Sequence, residues 1–342
     1  MKRKTLLLGL LAIVVMFSLI ILSSCDHEHV HQFGEWSVST EATCKADGER
    51  MRQCSCGEKE IEAIAATGHN YSNGSCANCN ADEPSPAEYF IFTELEDGTY
   101  SVKAADQYTI SGKIVIPDEY NGKPVTKIET SGFGQCTKIT EVVIPDSIAV
   151  IDTVAFIGCS SLVKIIIPEG ITEISTACFA ECDKLTEIVL PNGITKICHS
   201  AFLSCHRLQT VKIGEGLKII EDWAFKECAS LENINIPDGT ESIGMSCFAF
   251  TGLKEIRIPD SVKLIGNEAF FGIFVLREVY LGSGITSISS EAFRLCSNIS
   301  DVYFSGSEDD WNKIYIGDGN ETLISATLHL NHKEQENEND HP

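Results

Sequence analysis

Apolar positions recur with a fixed period between about Gly132 and Phe304. One position of the period is phenylalanine in every unit, at Phe133, Phe156, Phe179, Phe202, Phe225, Phe248, Phe270 and Phe293. The successive spacings are 23 residues, apart from one spacing of 22. A fixed period in this range predicts a solenoid, in which each unit buries its apolar face only against neighbouring units.

Each unit contains two apolar segments before its phenylalanine. One unit reads L-x-x-I-x-I-P from Leu162 to Pro168, then I-x-x-I from Ile171 to Ile174, and then Cys178-Phe179. The alternation in the first segment predicts a short strand that the proline ends, and the small residue before each phenylalanine predicts a tight turn. The first segment recurs at Leu185/Ile188/Leu190, Leu208/Val211/Ile213, Leu231/Ile234/Ile236, Leu253/Ile256/Ile258, Leu276/Val279/Leu281 and Ile299/Val302/Phe304.

The succession L-x-x-I-x-I-P, I-T-x-I and A-F-x-x-C resembles the BspA-like leucine-rich repeat of bacterial surface proteins. The resemblance covers residues 88–330, where Ile114–Pro117 followed by Tyr120–Val125 is similar to the family's first, expanded repeat. Tyr303–Ser307 with Trp311–Ile314 is similar to its closing cap. The resemblance implies a repeat solenoid of stacked short parallel strands and a role in adhesion and interaction.

The amino terminus has the pattern of a secretory signal. Lys2, Arg3 and Lys4 precede an apolar run that continues to Leu22. The sequence Leu-Ser-Ser-Cys ending at Cys25 resembles a bacterial lipobox, which implies a signal peptide over residues 1–24 and lipid on Cys25. An uncleaved membrane anchor is the alternative, since the run approaches spanning length. We therefore expect an extracytoplasmic, surface-exposed protein with a lipid anchor in the cell membrane.

The charge balance excludes one class of partner. The formal net charge is −23, and removal of residues 1–24 takes away three basic and no acidic residues, so that it becomes −26. Because phosphate backbones repel so acidic a chain, nucleic acid is not an expected partner.

Residues 25–81 form a small cysteine- and histidine-rich, ribbon-like module. Two close pairs, Cys54-x-Cys56 and Cys76-x-x-Cys79, are separated by 19 residues, a spacing that suits one tetrahedral zinc. A segment with so few large apolar side chains needs such a staple to fold. The sequence thus predicts one structural zinc on these four cysteines.

Other ligand sets and disulfides remain open for this module. Disulfides are the alternative to zinc, because the protein is expected outside the cytoplasm. Cys44, His31 and His69 lie nearby in the sequence and leave the ligand set open. His27, His29 and His31 could together bind a transition metal weakly, but we expect them to act as a polar spacer.

The remaining boundaries follow from composition. Residues 82–87 are polar and contain two prolines, as is typical of a linker. Tyr89–Val102 predicts a hairpin that covers the open edge of the first repeat. Residues 331–342 are charged and low in hydrophobicity, which predicts a disordered tail.

Six cysteines share the position three residues after the phenylalanine. They are Cys136, Cys159, Cys182, Cys205, Cys228 and Cys296. Although the protein is expected to be secreted, a repeat position does not guarantee the geometry that a disulfide needs. We therefore expect buried, reduced cysteines that act as small hydrophobic residues, and we interpret Cys178 and Cys247 in the same way.

The sequence does not predict an enzyme. It contains no nucleophile elbow, phosphate loop, dinucleotide glycine motif or metalloprotease helix. His199 and His206 lie near Cys205 in the sequence, but a cysteine nucleophile must be exposed, and the repeat directs Cys205 inward.

The outward residues of the first segments are the candidate binding surface. They are Glu141/Val143, Lys164/Ile166, Glu187/Val189, Thr210/Lys212, Asn233/Asn235, Glu255/Arg257, Glu278/Tyr280 and Asp301/Tyr303. Arg257, Tyr280 and Tyr303 are of types enriched in binding hot spots, so we predict that they contact an extracellular protein or glycan. The alternatives are that strand propensity alone selects these residues, and that the protein is a spacer without a specific ligand.

The lipobox leads to a direct test. We expect Cys25→Ala to leave an unprocessed precursor without lipid, because the acylated side chain is gone. Mass spectrometry of the purified variant checks this. Full processing together with membrane retention in the variant would contradict the lipobox assignment.

Overall fold

The computed structural model describes residues 30–332. The predicted signal peptide, Cys25, His27 and His29 lie outside the described residues, as does the predicted tail from residue 333 onward. The chain divides into two compact units, Met1–Glu83 and Pro84–Pro342. Within residues 30–332, no helix is both long and apolar enough to cross a membrane.

The described part of the first unit contains five short strands. They are β1 (Ser37–Thr40), β2 (Gly48–Gln53), β3 (Lys59–Ile64), β4 (Tyr71–Ser72) and β5 (Ser75–Cys76). The first three form one antiparallel sheet, and the last two form a separate hairpin. Between residues 30 and 83, the only buried hydrophobic side chains are those of Cys54 and Cys76. The described part of this unit therefore has almost no apolar core.

The second unit begins with a 3₁₀ turn at Ala87–Tyr89 and continues in short strands. Its elements are β6 (Phe90–Glu94), β7 (Tyr100–Ala104), β8 (Gly112–Val115), β9 (Glu119–Tyr120), β10 (Lys123–Ile128), β11 (Ile139–Val143), β12 (Val150–Ile151), β13 (Lys164–Ile166), β14 (Glu173–Ile174), β15 (Glu187–Leu190), β16 (Lys196–Ile197), β17 (Thr210–Ile213), β18 (Ile219–Ile220), β19 (Ser242–Ile243), β20 (Glu255–Ile258), β21 (Leu264–Ile265), β22 (Glu278–Leu281), β23 (Ser287–Ile288), β24 (Asp301–Phe304), α1 (Glu308–Trp311), β25 (Tyr315–Ile316), α2 (Glu321–Ser325) and β26 (Thr327–His329).

Apart from β6 and β9, which pair antiparallel with β7 and β10, these strands stack in parallel along two sides of a solenoid, which confirms the predicted fold class. The first ladder comprises the sheets β8-β11-β13, β15-β17 and β20-β22-β24-β26. The second ladder contains the seven-stranded sheet β14-β16-β18-β19-β21-β23-β25. One prediction is wrong in detail, since Leu231/Ile234/Ile236 forms no strand. Asn233 and Asn235 flank Ile234 in that unit, and asparagine has low strand propensity.

The hairpin predicted at the amino-terminal end is present and closes the first repeat. Strands β6 and β7 pair antiparallel, and β7 then pairs in parallel with β10. The Phe90 ring meets the Phe133 ring edge to face, with centroids 6.3 Å apart and planes at 75°. The hairpin therefore covers both the backbone edge and the first aromatic ring of the repeat array.

The repeated phenylalanines form a continuous stack through the core. All eight side chains have a relative exposure of 0%. Adjacent centroids are between 4.9 and 5.6 Å apart, and adjacent ring planes differ by between 2° and 13°. The register that the period predicted is confirmed ring by ring.

Each phenylalanine lies between two residues in the left-handed region. The residues two positions before and two positions after it have φ values from 49° to 72° in every unit, among them the β-branched Val154. Such a conformation costs free energy for residues other than glycine. Backbone hydrogen bonds to the next unit stabilise this conformation. For example, the Phe156 amide donates to the Cys178 carbonyl at 2.9 Å.

The repeat cysteines are buried with free thiols, as predicted, and they also donate hydrogen bonds. Five of the six cysteines three residues after a phenylalanine donate to the carbonyl of the phenylalanine one unit earlier, in the pairs Cys159–Phe133 (3.1 Å), Cys182–Phe156 (3.4 Å), Cys205–Phe179 (3.1 Å), Cys228–Phe202 (3.2 Å) and Cys296–Phe270 (3.0 Å). Ile273 cannot donate to the Phe248 carbonyl, but Thr251 does so from its hydroxyl at 2.9 Å. A small residue that is also a donor therefore suits this position better than a purely apolar one.

A buried asparagine closes the other end of the solenoid. The Asn320 side chain is 1% exposed; its oxygen accepts from the Phe293 amide at 2.9 Å, and its nitrogen donates to the carbonyls of Ser289 (2.9 Å) and Gly317 (2.8 Å). It therefore supplies the acceptor that a further repeat would offer. Asn331 and His332, assigned by composition to the tail, donate backbone hydrogen bonds to Gly306 and Phe304.

The phenylalanine stack yields a stability prediction. Phe202→Ala should lower the free energy of unfolding by about 3–5 kcal/mol, because it opens a cavity between two rings. Denaturant unfolding followed by circular dichroism measures the change. Phe274→Ala is the matched control, since that ring is 55% exposed, and it should change stability little. A cost below about 1 kcal/mol for Phe202→Ala would contradict the described packing.

The buried Asn320 yields a second stability prediction. Asn320→Ala should lower the free energy of unfolding by about 1–3 kcal/mol, because it leaves the buried Phe293 amide without an acceptor. Asn233→Ala, at an exposed position, is the control. Equal stability of the two variants in thermal and denaturant unfolding would show that the cap does not depend on this side chain.

Candidate functional site

Outward side chains of the first ladder line up in rows, because the strands are parallel and in register. Arg257 pairs with Tyr280, Tyr280 with Tyr303, and Tyr303 with His329. We call these four residues the aromatic row. Towards the amino-terminal end the corresponding positions are aliphatic, with Ile166 and Val189 both about half exposed.

The members of the aromatic row stack directly on one another. The Arg257 guanidinium lies 3.7 Å from the Tyr280 ring centroid. The Tyr280 and Tyr303 centroids are 4.6 Å apart, and those of Tyr303 and His329 are 4.5 Å apart, with nearly parallel planes. Both faces of each tyrosine ring are therefore covered.

A row of carboxylates runs beside the aromatic row and fixes its polar ends. Glu255, Glu278 and Asp301 occupy neighbouring strands in register. Their oxygens accept from Arg257 Nε at 3.3 Å, from the Tyr280 hydroxyl at 2.7 Å, and from His329 Nε2 at 2.8 Å when that nitrogen carries the proton. These contacts offset the repulsion expected between like charges on adjacent strands.

The same contacts shift two pKa values. Burial, together with the hydrogen bond to Glu278, raises the pKa of Tyr280 to about 12. The hydrogen bond from His329 lowers the pKa of Asp301. Tyr280 therefore remains a neutral hydroxyl and Asp301 remains a carboxylate at neutral pH.

Arg257, Tyr280 and Tyr303 of the aromatic row line a groove of about 710 Å³. Its lining also includes the turns that follow the strands, with Asp260, Ser283 and Ser305. The Asp260 carboxylate accepts from the Ser305 hydroxyl at 2.7 Å and from the Ser283 amide at 2.6 Å, and these bonds lower its pKa. Several polar groups thus converge on a concave surface, which is the usual form of a binding site.

Arg257, Tyr280 and Tyr303, the three residues predicted to bind a ligand, all line this groove. Sequence reasoning missed His332, which lies against both tyrosine rings with centroids 5.4 and 4.9 Å away, and Asp260. Asp260 follows the strand-ending Pro259, so a polar residue immediately after that proline was the available signal. His332 falls in a segment whose composition indicated only a tail.

Residues 30–83 of the first unit contain two groups of potential metal ligands. Cys44, His69, Cys76 and Cys79 form one group, and His31, Cys54 and Cys56 form the other; within each group all ligand atoms lie within 4.8 Å of one another. The structure therefore does not bring Cys54, Cys56, Cys76 and Cys79 together as the spacing predicted. Strand pairing explains the difference, because each cysteine pair lies beside its own histidine.

Backbone amides surround the buried sulfur in each group. Hydrogen bonds from the backbone, chiefly at Asn78, lower the pKa of Cys76 to about 5. The corresponding bond from the Cys56 backbone lowers the pKa of Cys54 to about 6. Turns of this kind, with amides directed at sulfur, favour the thiolate form that a metal ion requires.

Cys205 does not form a nucleophilic pair with His199 or His206. Cys205 is fully buried, its thiol is bonded to the Phe179 carbonyl, and burial raises its pKa to about 12. His206 is exposed and pairs with Asp183 at 2.7 Å, whereas His199 packs against Trp223. This arrangement cannot generate a thiolate nucleophile.

The chain is similar to two bacterial leucine-rich repeat proteins of known structure. No curated protein matches the chain. A leucine-rich repeat protein from Bacteroides ovatus has 23% identity over 72% of this chain and 79% of that chain, with a TM-score of 0.41. The leucine-rich repeat protein of T. pallidum has 20% identity over 69% of this chain and 86% of that one, with a TM-score of 0.37.

A repeat-family model gives the stronger result. Six copies of the BspA type leucine-rich repeat region match residues 111–231 and 218–315, which together make up more than half of the chain. The matched residues contain the phenylalanine stack and most of the first ladder. The chain therefore belongs to the BspA-type leucine-rich repeat family.

Proposed function

We propose that this protein is a lipid-anchored binding module at the bacterial cell surface, which captures an extracellular protein through the groove beside the aromatic row. The observation that carries the proposal is that Arg257, Tyr280 and Tyr303 line one groove. Proteins of this family are generally extracellular or at the cell surface, and their fold is typically non-catalytic. The secretory signal and the lipobox ending at Cys25 support the anchor.

The orientation of the rings favours a protein over a glycan. A sugar typically packs against the face of an aromatic ring, but both faces of Tyr280 and Tyr303 are occupied. The ring edges carry the positive part of the aromatic quadrupole, which attracts carbonyl oxygens and the faces of other aromatic rings. A peptide segment with aromatic side chains offers both groups.

The charge of the groove favours a basic segment. Glu215 and Asp238 are exposed on its lining, and the Asp260 carboxylate lies beside them in the same groove. Arg257 partly offsets this charge, but its guanidinium is engaged by Tyr280 and Glu255. With a net charge of −23 on the whole chain, association with a basic partner is also steered over a longer range.

Substitutions in the aromatic row test the proposal. Tyr280→Ala, Tyr303→Ala and Arg257→Ala should each weaken binding by about 2 kcal/mol, roughly thirtyfold in Kd, since each removes a side chain that lines the groove. A panel of purified extracellular-matrix proteins and a glycan array first identify the partner. Titration of each variant against that partner, with circular dichroism to confirm folding, then gives the change.

The controls lie on other surfaces of the same unit. Tyr315→Ala removes a tyrosine that is 65% exposed on the second ladder, and His206→Ala changes an exposed histidine; neither should alter Kd. If the row variants bind like the parent, the groove is not the site. Binding only to glycans would reject a protein partner, and binding to neither panel would favour a spacer.

A further inference from the structure

We propose that Cys44, His69, Cys76 and Cys79 form a tetrahedral zinc site that holds the first unit together. This ligand set replaces the four cysteines that sequence spacing predicted. Its ligands come from three segments, at Cys44, at His69 and at the Cys76-x-x-Cys79 pair. The pairing of Tyr71 with Cys76 brings the last two segments together. The inference is independent of the binding groove in the second unit.

The distances between the ligand atoms fit a shared metal ion. Zinc–sulfur bonds of 2.3 Å in tetrahedral geometry place two sulfurs about 3.8 Å apart, and a sulfur and a nitrogen about 3.6 Å apart. The Cys44 and Cys76 sulfurs are 3.7 Å apart, and Cys79 Sγ lies 3.3 Å from His69 Nδ1. The two sulfurs are too far apart to be bonded to each other, and they are close to the separation that a common zinc ligand would impose.

The burial pattern shows why the unit needs such a site. Cys76 is 0% exposed, and with Cys54 it is one of the two buried hydrophobic residues between residues 30 and 83. The sheet β1-β2-β3 carries ion pairs such as Arg50–Glu62 on its surface, but it covers no apolar cluster. A segment of this size without a core requires a metal or a covalent staple to fold.

Both ligand groups have the same local architecture, which argues that the geometry is built for ligation. In each, a histidine stands two residues before an aromatic ring on which it stacks, as His69 does on Tyr71 at 5.4 Å and His31 on Phe33 at 5.8 Å. The aromatic residue then pairs across the strands with the first cysteine, Cys76 or Cys54.

The turn after each cysteine pair is also the same in both groups. The residue directly after the second cysteine has a positive φ in both groups, at Asn80 and at Gly57. Two groups that differ in sequence spacing thus share one structural plan. Three thiolates and one imidazole are a common structural zinc set, and such soft ligands select against magnesium or calcium.

Thiol labelling of the full-length protein tests the site. Cys79 is exposed in the structure, so in metal-free protein it should react readily with an alkylating reagent. After addition of zinc, we expect loss of labelling at Cys79 and Cys44, because a metal-bound thiolate is protected, and restoration of labelling with a chelator. Peptide mapping by mass spectrometry assigns each labelled cysteine.

Two variants localise the effect. His69→Ala should abolish the zinc protection of Cys79, whereas Asn78→Ala, at an exposed position between the two cysteines that supplies no ligand, should retain it. X-ray absorption of the zinc-loaded parent, which needs no variant, should show both sulfur and nitrogen ligands at the distances of a tetrahedral site. Equal labelling of Cys79 with and without zinc, or a disulfide within the group, would overturn the proposal.

Discussion

The face-to-face contact between one phenylalanine ring and the next is the interaction on which the repeat unit depends. Each ring is buried only because a neighbour covers it, so no single repeat has a core of its own. The array must therefore be closed at both ends. Phe90 covers the first ring with its edge, and Asn320 supplies the hydrogen bonds that a following repeat would have supplied. These two contacts cover the two ends of the stack.

The 23-residue period predicted this fold, because a residue that recurs every 23 positions can be buried in every unit only if the units stack. The period could not show how the backbone reaches each ring. The two left-handed residues beside each phenylalanine include Val154 and Trp223, which have no intrinsic preference for that conformation. Hydrogen bonds between units impose it. The thiol-to-carbonyl bonds of the repeat cysteines were missed for the same reason, since they join residues 26 positions apart.

For the candidate sites too, the sequence predicted what depends on the repeat register and not what depends on contacts between distant residues. A fixed register places Arg257, Tyr280 and Tyr303 in one row, so their common location followed from the sequence. Whether the ring faces are free depends on side-chain stacking, which the pattern does not encode. The ligand groups were harder to predict, because proximity in sequence suggested that two cysteine pairs share one ion. Strand pairing instead places His31 beside Cys56 and His69 beside Cys79.

The ladder of buried thiols has a consequence for how the protein ages. Cys159, Cys182, Cys205 and Cys228 lie in successive units, and burial raises the pKa of each thiol, so that in the folded chain they resist oxidation. In an oxidising environment, a chain that unfolds exposes all of them together, and any disulfide that it forms conflicts with the native ladder. Each such disulfide makes unfolding irreversible, and under those conditions the lifetime of a protein is governed by its rate of unfolding rather than by its equilibrium stability.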